Sequence, residues 1–147
     1  MAKNDKFKEK KVSTAYKREL KGIETKVGRK EPLIVLSFKD FDRNQGQSFE
    51  DWEQDSLLSL AVNRLREICQ LTVGQATAQQ IIKPYTKVGF PPESAFTHPK
   101  HILPDVTWCT IHIQGKECVI GYFEDNIFHV VFLDKNHEFW ITKKKNT

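Results

Sequence analysis

The stretch that decides the fold is residues 106–141, VTWCTIHIQGKECVIGYFEDNIFHVVFLDKNHEFWI. It consists of apolar runs rich in β-branched and aromatic residues, separated by polar breaks of two residues at 115–116, 125–126 and 135–136. Gaps of this length and composition are typical of tight hairpins. We therefore predict an antiparallel meander of four strands, the last of which, HEFWIT, begins at His137.

The alternation of side chains within this meander assigns residues to faces. The run IFHVVFL, residues 127–133, is apolar on both faces apart from His129, which predicts a strand in the interior of the sheet. In the first strand Trp108, Thr110 and His112 share one face, opposite the more apolar face that carries Ile111.

The residues before the meander predict one more strand and two helices. LIVLSF, residues 33–38, is a short apolar run that predicts a strand. Ser48 and Thr72 each begin a capping-box pattern, the first opening a helix from Phe49 to Gln70 and the second a shorter helix that runs until Lys83. We expect the long helix to pack on the sheet through four apolar residues: Leu57, Leu60, Leu65 and Ile68. Residues 85–105 hold four of the six prolines and predict a long loop.

The sequence thus predicts an α+β fold, in which strand, helix and helix precede a C-terminal antiparallel meander. Residues 31–147 have the length and apolar content of a single domain. Residues 1–30 carry 11 Lys/Arg and 4 Asp/Glu, a net charge of +7, whereas the rest of the chain carries 12 and 15, a net charge of −3. This basic arm predicts either a disordered solubilising segment or a segment that binds nucleic acid or a partner, partly as a helix.

Several function classes lack their sequence signatures. We find no apolar run long enough to cross a bilayer and no signal peptide, and three cysteines without CxxC spacing indicate reduced thiols, so we predict a cytoplasmic protein. There is no glycine-rich phosphate loop and no GxSxG motif. His98 and His101 flank Pro99, which argues against a helical pair of metal ligands. We therefore expect no metal and no cofactor.

Groups suited to RNA cleavage gather at one end of the predicted sheet. His112 approaches the first turn, Lys116 lies in it and His137 follows the third turn, which shares that end of the sheet. Imidazoles can serve as base and acid, and a cation can stabilise the phosphorane, without a metal. The alternative is ordinary solvent-facing polarity of turn residues. We take His137, Lys116 and His112 as candidate catalytic residues.

A second group of residues predicts RNA binding. Trp108 either stacks on a base or packs in the core. His98, Lys100 and His101 come from the long loop that leads into the meander, and we expect them at the same end of the sheet as His112, Lys116 and His137. The candidate phosphate contacts of the basic arm are Lys10, Lys11, Lys17 and Arg18.

The order of elements resembles that of the RelE/ParE-like toxin superfamily of small bacterial ribonucleases and gyrase inhibitors. The resemblance spans about residues 33–141 and is carried by LIVLSFKDFD, by the helix that starts at Phe49 and by the passage from Trp108 to Trp140. RNA-cleaving members tend to carry basic residues after the meander glycine and a His, Arg or Tyr after the last strand. These positions match Lys116 and His137 here, and Tyr122 matches the family's aromatic residue.

The resemblance implies two alternative functions. The first is a metal-independent endoribonuclease that acts on mRNA at the ribosome, held in check by an antitoxin whose disordered segment lies across the sheet and helix. The second is a non-catalytic binding subunit of the same fold in a phage-defence or nucleic-acid-processing complex. The histidine grouping favours the first, and the acidic charge of residues 31–147 favours the second.

Overall fold

The computed structural model describes residues 31–86 and 89–141. The predicted basic arm, residues 1–30, lies outside these ranges. The described elements are β1 (Val35–Ser37), α1 (Phe49–Gln54), α2 (Leu58–Ile68), α3 (Val73–Ala78), β2 (Ile82–Pro84), β3 (Trp108–Gln114), β4 (Glu117–Glu124) and β5 (Ile127–Asp134).

One five-stranded sheet, in the order β1-β5-β4-β3-β2, organises the α+β fold that the sequence predicts. Strands β3, β4 and β5 form the expected antiparallel meander, and β2 extends it on the β3 side. Strand β1 pairs with β5 in parallel, which makes the sheet mixed. Strand β5 has neighbours on both sides, so its predicted interior position is confirmed.

The predicted fourth strand of the meander, HEFWIT, is wrong over residues 137–141, which do not join the sheet. The reason is that β1 already occupies the free edge of β5, so no backbone groups remain there for another strand to pair with. The chain instead turns back, and the side chain of Phe139 is completely buried.

The single predicted helix from Phe49 to Gln70 is two helices, α1 and α2. The break lies at Ser56, whose φ of 60° is incompatible with a continuing helix. The break changes the buried face: Leu57, Leu65 and Ile68 are buried as predicted, but Leu60 is 41% exposed, so its predicted burial is wrong.

Both predicted capping boxes are present, and they start α1 and α3. The side chain of Ser48 accepts a hydrogen bond from the backbone N–H of Asp51, and that of Thr72 accepts one from the backbone N–H of Gln75. Helix α3 ends at Ala78, earlier than predicted, because residues 82–84 pair with β3 as strand β2. An edge strand tolerates Pro84, which has no N–H to donate.

The sheet is covered on both faces, by the helices on one and by the long loop on the other. The helix face is built from residues such as Leu65, Ile111 and Val130. The loop face carries a second, largely aromatic core around Trp108 and Phe132. The long predicted loop therefore forms one wall of the core.

Two bulges set which side chains share the loop face. In β3, Gln114 pairs with Glu117 but His112 pairs with Cys118, so Ile113 is an extra residue. In β5, Ile120 pairs with Phe132 but Gly121 pairs with Val130, so Val131 is extra. A Cβ at position 121 would collide with the backbone oxygen of His129, which explains the glycine.

Candidate functional site

Three side chains with acid–base or ligand chemistry meet at one end of the loop face: His112, Cys118 and His137, here called the imidazole site. The rings of His112 and His137 stack with their centroids 5.4 Å apart and their planes 29° apart. The Sγ atom of Cys118 lies 3.5 Å from Nδ1 of His112. The structure thus brings together two of the three predicted catalytic residues.

Backbone carbonyls orient both imidazoles. Nδ1 of His112 is 3.3 Å from the carbonyl oxygen of Gly115, and Nδ1 of His137 is 3.0 Å from that of Trp140. A carbonyl oxygen can only accept a hydrogen bond, so Nδ1 of each ring carries the proton. Each Nε2 is left as the nitrogen that gains or loses a proton or binds a ligand.

His137 lies in a turn that several contacts hold in place. Its φ of 59° is in the left-handed region, which histidine adopts more readily than most residues but still uncommonly. The buried carboxylate of Asp134 accepts hydrogen bonds from the backbone N–H groups of Glu138 and Phe139, both at 2.9 Å. Gln47 Oε1 accepts the N–H of Lys135 at 2.6 Å. The imidazole is therefore positioned by the fold.

Cys118 is unsuited to act as a nucleophile in the metal-free protein, although it contacts an imidazole. It is 1% exposed, and burial, together with the nearby carboxylates of Asp134 and Glu117, raises the pKa of its thiol from 9.0 to about 12. The thiol is therefore protonated at neutral pH, and the thiolate is the nucleophilic form. Any chemistry of the metal-free site rests on the two histidines.

Lys116 lies in the turn that joins β3 to β4, next to the imidazole site. Its backbone carbonyl accepts a weak hydrogen bond from Cys118 Sγ at 3.3 Å, and its side chain is exposed. The third predicted catalytic residue is thus at the same end of the sheet, as the counting of meander turns indicates.

The loop histidines do not join the imidazole site, contrary to the expectation that all these groups gather at one end. His98 packs against Trp108, and His101 contacts the backbone oxygen of Asp40. Trp108 and His112 are four residues apart on β3, which corresponds to about 13 Å along a strand. The two groups therefore lie toward opposite ends of the loop face.

His98, Lys100 and His101 instead line an open cleft of about 500 Å³, here called the basic cleft. Its walls are residues 41–45 and 97–101, tied together by Gln45, which binds both N–H and C=O of Thr97. Lys100, Arg43 and His101 are exposed there. Clustered cations can bind phosphate groups, and Arg43 is a cation of this cleft that the sequence pattern did not single out.

Trp108 cannot stack on a nucleic-acid base in this structure. Its side chain is completely buried, and its ring packs on Phe132 with centroids 5.6 Å apart. The predicted RNA contact is wrong for this residue because the long loop covers the face on which it lies. Trp108 belongs to the aromatic core.

A buried polar network at the other end of the sheet was not expected from the sequence. Tyr122 donates a hydrogen bond to Asp40, and its ring stacks on that of His129 at 4.8 Å. His129 is 2% exposed and bonds to Glu124 through Nε2 at 3.1 Å, while its Nδ1 has no hydrogen-bond partner. Burial and the Asp40 carboxylate raise the pKa of Tyr122.

An apolar groove of about 210 Å³ lies on the helix side of the sheet. Phe38 and Val62 on its rim are 50% and 55% exposed. The groove is lined by these two residues and by Phe49, Leu58, Ala61, Leu65, Val119, Val130 and Leu133. Exposed apolar side chains that adjoin one another are typical of interaction surfaces.

Within the described residues, no helix is long and apolar enough to cross a membrane. Comparisons with protein-family models, with curated proteins and with solved structures find no match.

Proposed function

We propose that the protein is a metal-independent endoribonuclease that cleaves mRNA in the cytoplasm, at the ribosome, in the manner of RelE-like toxins. The observation that carries this proposal is the stacked pair of His112 and His137. Each ring is held through Nδ1 by a backbone carbonyl, which leaves two Nε2 atoms for proton transfer.

The proposed reaction needs one neutral and one protonated imidazole. The neutral one takes the proton of a ribose 2′-hydroxyl while O2′ forms a bond to the neighbouring phosphorus. The protonated one gives its proton to the 5′-oxygen as the P–O5′ bond breaks. The products are a 2′,3′-cyclic phosphate and a 5′-hydroxyl end. Lys116, in the adjoining turn, is the cation proposed to stabilise the phosphorane.

The basic cleft supplies the proposed binding surface for the rest of the RNA. Arg43 and Lys100 are suited to contact phosphates on one side of the cleaved bond, and the basic arm adds further contacts. Such electrostatic contacts hold the strand without reading its sequence. An antitoxin protein is the proposed partner that blocks this surface or the site.

A second candidate function is a non-catalytic binding subunit of a phage-defence or nucleic-acid-processing complex. The apolar groove favours it, because Phe38 and Val62 expose apolar surface next to the edge strand β1. In this alternative the imidazole site has no role in RNA cleavage.

The deciding experiment is expression in bacteria with and without a neighbouring open reading frame, while growth and RNA integrity are followed. Arrested growth and fragmented mRNA, both relieved by the neighbour, support the ribonuclease. The His137→Gln variant is the matched control, since it lacks one imidazole and we expect it to keep the fold. Equal growth arrest by this variant and the wild type, with intact RNA, favours the binding subunit.

A further inference from the structure

We propose that His112, Cys118 and His137 form a binding site for one Zn²⁺ ion or a similar borderline-soft divalent metal. One donor atom from each side chain lies within 4.8 Å of the other two. Two imidazole nitrogens and one cysteine sulfur are donors that Zn²⁺ prefers in proteins. Among the described residues, these three form the one such group of histidines, cysteines or carboxylates.

The positions of the three residues fit a single metal ion after a small side-chain adjustment. Zn–S bonds of about 2.3 Å and Zn–N bonds of about 2.1 Å place two ligands of one ion at most about 4.4 Å apart. His112 and Cys118 are direct cross-strand partners, so their backbones are fixed relative to each other. Rotation of the half-buried imidazole of His137 closes the remaining distance.

The surroundings of both histidines match those of metal-bound imidazoles in general. A ligating histidine usually donates its second N–H to a carboxylate or a backbone carbonyl, which fixes its tautomer and its orientation. Here Nδ1 of each ring is held by a carbonyl oxygen, from Gly115 for one and from Trp140 for the other. This pre-orientation leaves Nε2 of each ring as the metal-binding nitrogen, and in His112 that atom lies 3.9 Å from Sγ of Cys118.

Three protein ligands leave one position of a tetrahedral Zn²⁺ ion open for water or an anion. The Asp134 carboxylate is not in this group of three donors, and its two oxygens accept the N–H groups of Glu138 and Phe139. On binding, a Zn–S bond replaces the S–H bond of Cys118, and the thiol proton is released to solvent. If the ribonuclease proposed above is correct, the metal-loaded form is inactive, because the metal occupies both Nε2 atoms.

The test uses the purified full-length chain, stripped with EDTA and then titrated with Zn²⁺ against a chromophoric chelator, with no RNA present. We expect one equivalent to bind. A parallel titration with Co²⁺ should give the absorption of a sulfur-to-cobalt charge transfer, which reports on the cysteine ligand directly.

Cys118→Ser and His137→Gln are expected to weaken Zn²⁺ binding at least about 10-fold, in line with the loss of a metal contact, and Cys118→Ser to abolish the charge-transfer band. Cys109→Ser is the matched control, since Cys109 is also buried but lies on the helix face, and it should keep both signals.

Circular dichroism verifies that each variant is folded. If Cys118→Ser unfolds, His137→Gln still tests the site, because His137 lies in a turn outside the sheet. No binding by the wild type, or equal binding by folded His137→Gln, overturns the proposal. Because no RNA is used, these results are separate from those that test the ribonuclease.

Discussion

The imidazole rings of His112 and His137 stack with a centroid separation of 5.4 Å, although one is on a β-strand and the other in a turn. The strand residue is fixed by its pairing with Cys118, and the turn residue by the hydrogen bonds of Asp134. A pair of rings held from two separate elements stays close without depending on one flexible loop. This is the pre-organisation that general acid–base chemistry requires.

Replacing His137 by Gln should lower RNA cleavage by roughly 10² to 10⁴-fold, because Gln keeps hydrogen bonding but cannot transfer a proton at neutral pH. The thermal midpoint should change by only about a few degrees, since the residue is half-buried beside a turn. Cleavage of labelled RNA and thermal unfolding measure the two effects. Asn136→Ala, in the same turn and exposed, is the control and should retain full cleavage.

Two outcomes would contradict this assignment of His137. If His137→Gln does not fold, the residue is structural. If the variant folds and cleaves as the wild type does, the catalytic groups lie elsewhere, and the basic cleft with His101 is the next place to examine.

EDTA should leave RNA cleavage by the purified protein unchanged or raise it, while equimolar Zn²⁺ should lower cleavage more than about 10-fold. Both expectations follow from the same atoms, since the proposed acid and base are also the proposed metal ligands. The measurement is the initial cleavage rate at a series of Zn²⁺ concentrations. Loss of cleavage with EDTA would show instead that the metal is a cofactor of the reaction.

Deletion of residues 1–30 should weaken RNA binding and flatten its dependence on salt. Each phosphate contact with a single strand contributes about 0.7 to the slope of log K against log salt concentration. Binding titrations at several salt concentrations give this slope. The control for charge alone is a variant in which Gln replaces Lys10, Lys11, Lys17 and Arg18. An unchanged slope in both variants would leave the arm only a solubilising role.

Leu65→Ala should lower the free energy of unfolding by about 2 to 5 kcal/mol, because the side chain is 4% exposed and its loss leaves a cavity between α2 and the sheet. Leu60→Ala on the same helix should cost about 0.5 kcal/mol, since Leu60 is 41% exposed. Urea denaturation followed by circular dichroism measures both. Equal costs would contradict the described break between α1 and α2.

Stability should decrease as the pH rises from about 9 toward 12. Burial raises the pKa of Cys109 and Cys118 from 9.0 to about 12, so within this range the thiols are ionised in the unfolded chain but protonated in the folded protein. The unfolded state then binds fewer protons, and deprotonation favours unfolding. The urea midpoint at several alkaline pH values measures this effect. The double variant Cys109→Ala, Cys118→Ala should show a shallower decrease, and an identical decrease would contradict the expectation.

The parts of the fold that the sequence predicts are those governed by local chemistry. The two capping boxes at Ser48 and Thr72, the turn at Gly115 and the interior position of β5 follow from residue type and spacing. The break at Ser56 does not follow from residue type and spacing, because the apolar periodicity continues through it. The burial of Trp108 cannot be predicted in this way either, since the loop that covers it has no periodic pattern.

The imidazole site is predictable only in part. Counting turns places His112 and His137 at the same end of the sheet, but Cys118 gives no signal. In a regular hairpin with a two-residue turn at 115–116, Cys118 would pair with Ile113 and His112 with Val119. The bulge at Ile113 shifts this pairing, and nothing in the local composition marks it.

The extra residue in β5, Val131, decides which side of the sheet receives the turn that holds His137. Phe128 and Val130 belong to the helix-side core, whereas Phe132, an even number of residues further on, belongs to the aromatic core. If β5 kept all its residues in strict alternation, without the bulge, Phe132 and the Asp134 carboxylate would lie on the same side as Phe128 and Val130. The placement of the proposed chemistry is thus determined by one irregularity in strand pairing, so that loss of the bulge, without any change to a catalytic side chain, would move the Asp134 carboxylate to the other side and separate the two rings.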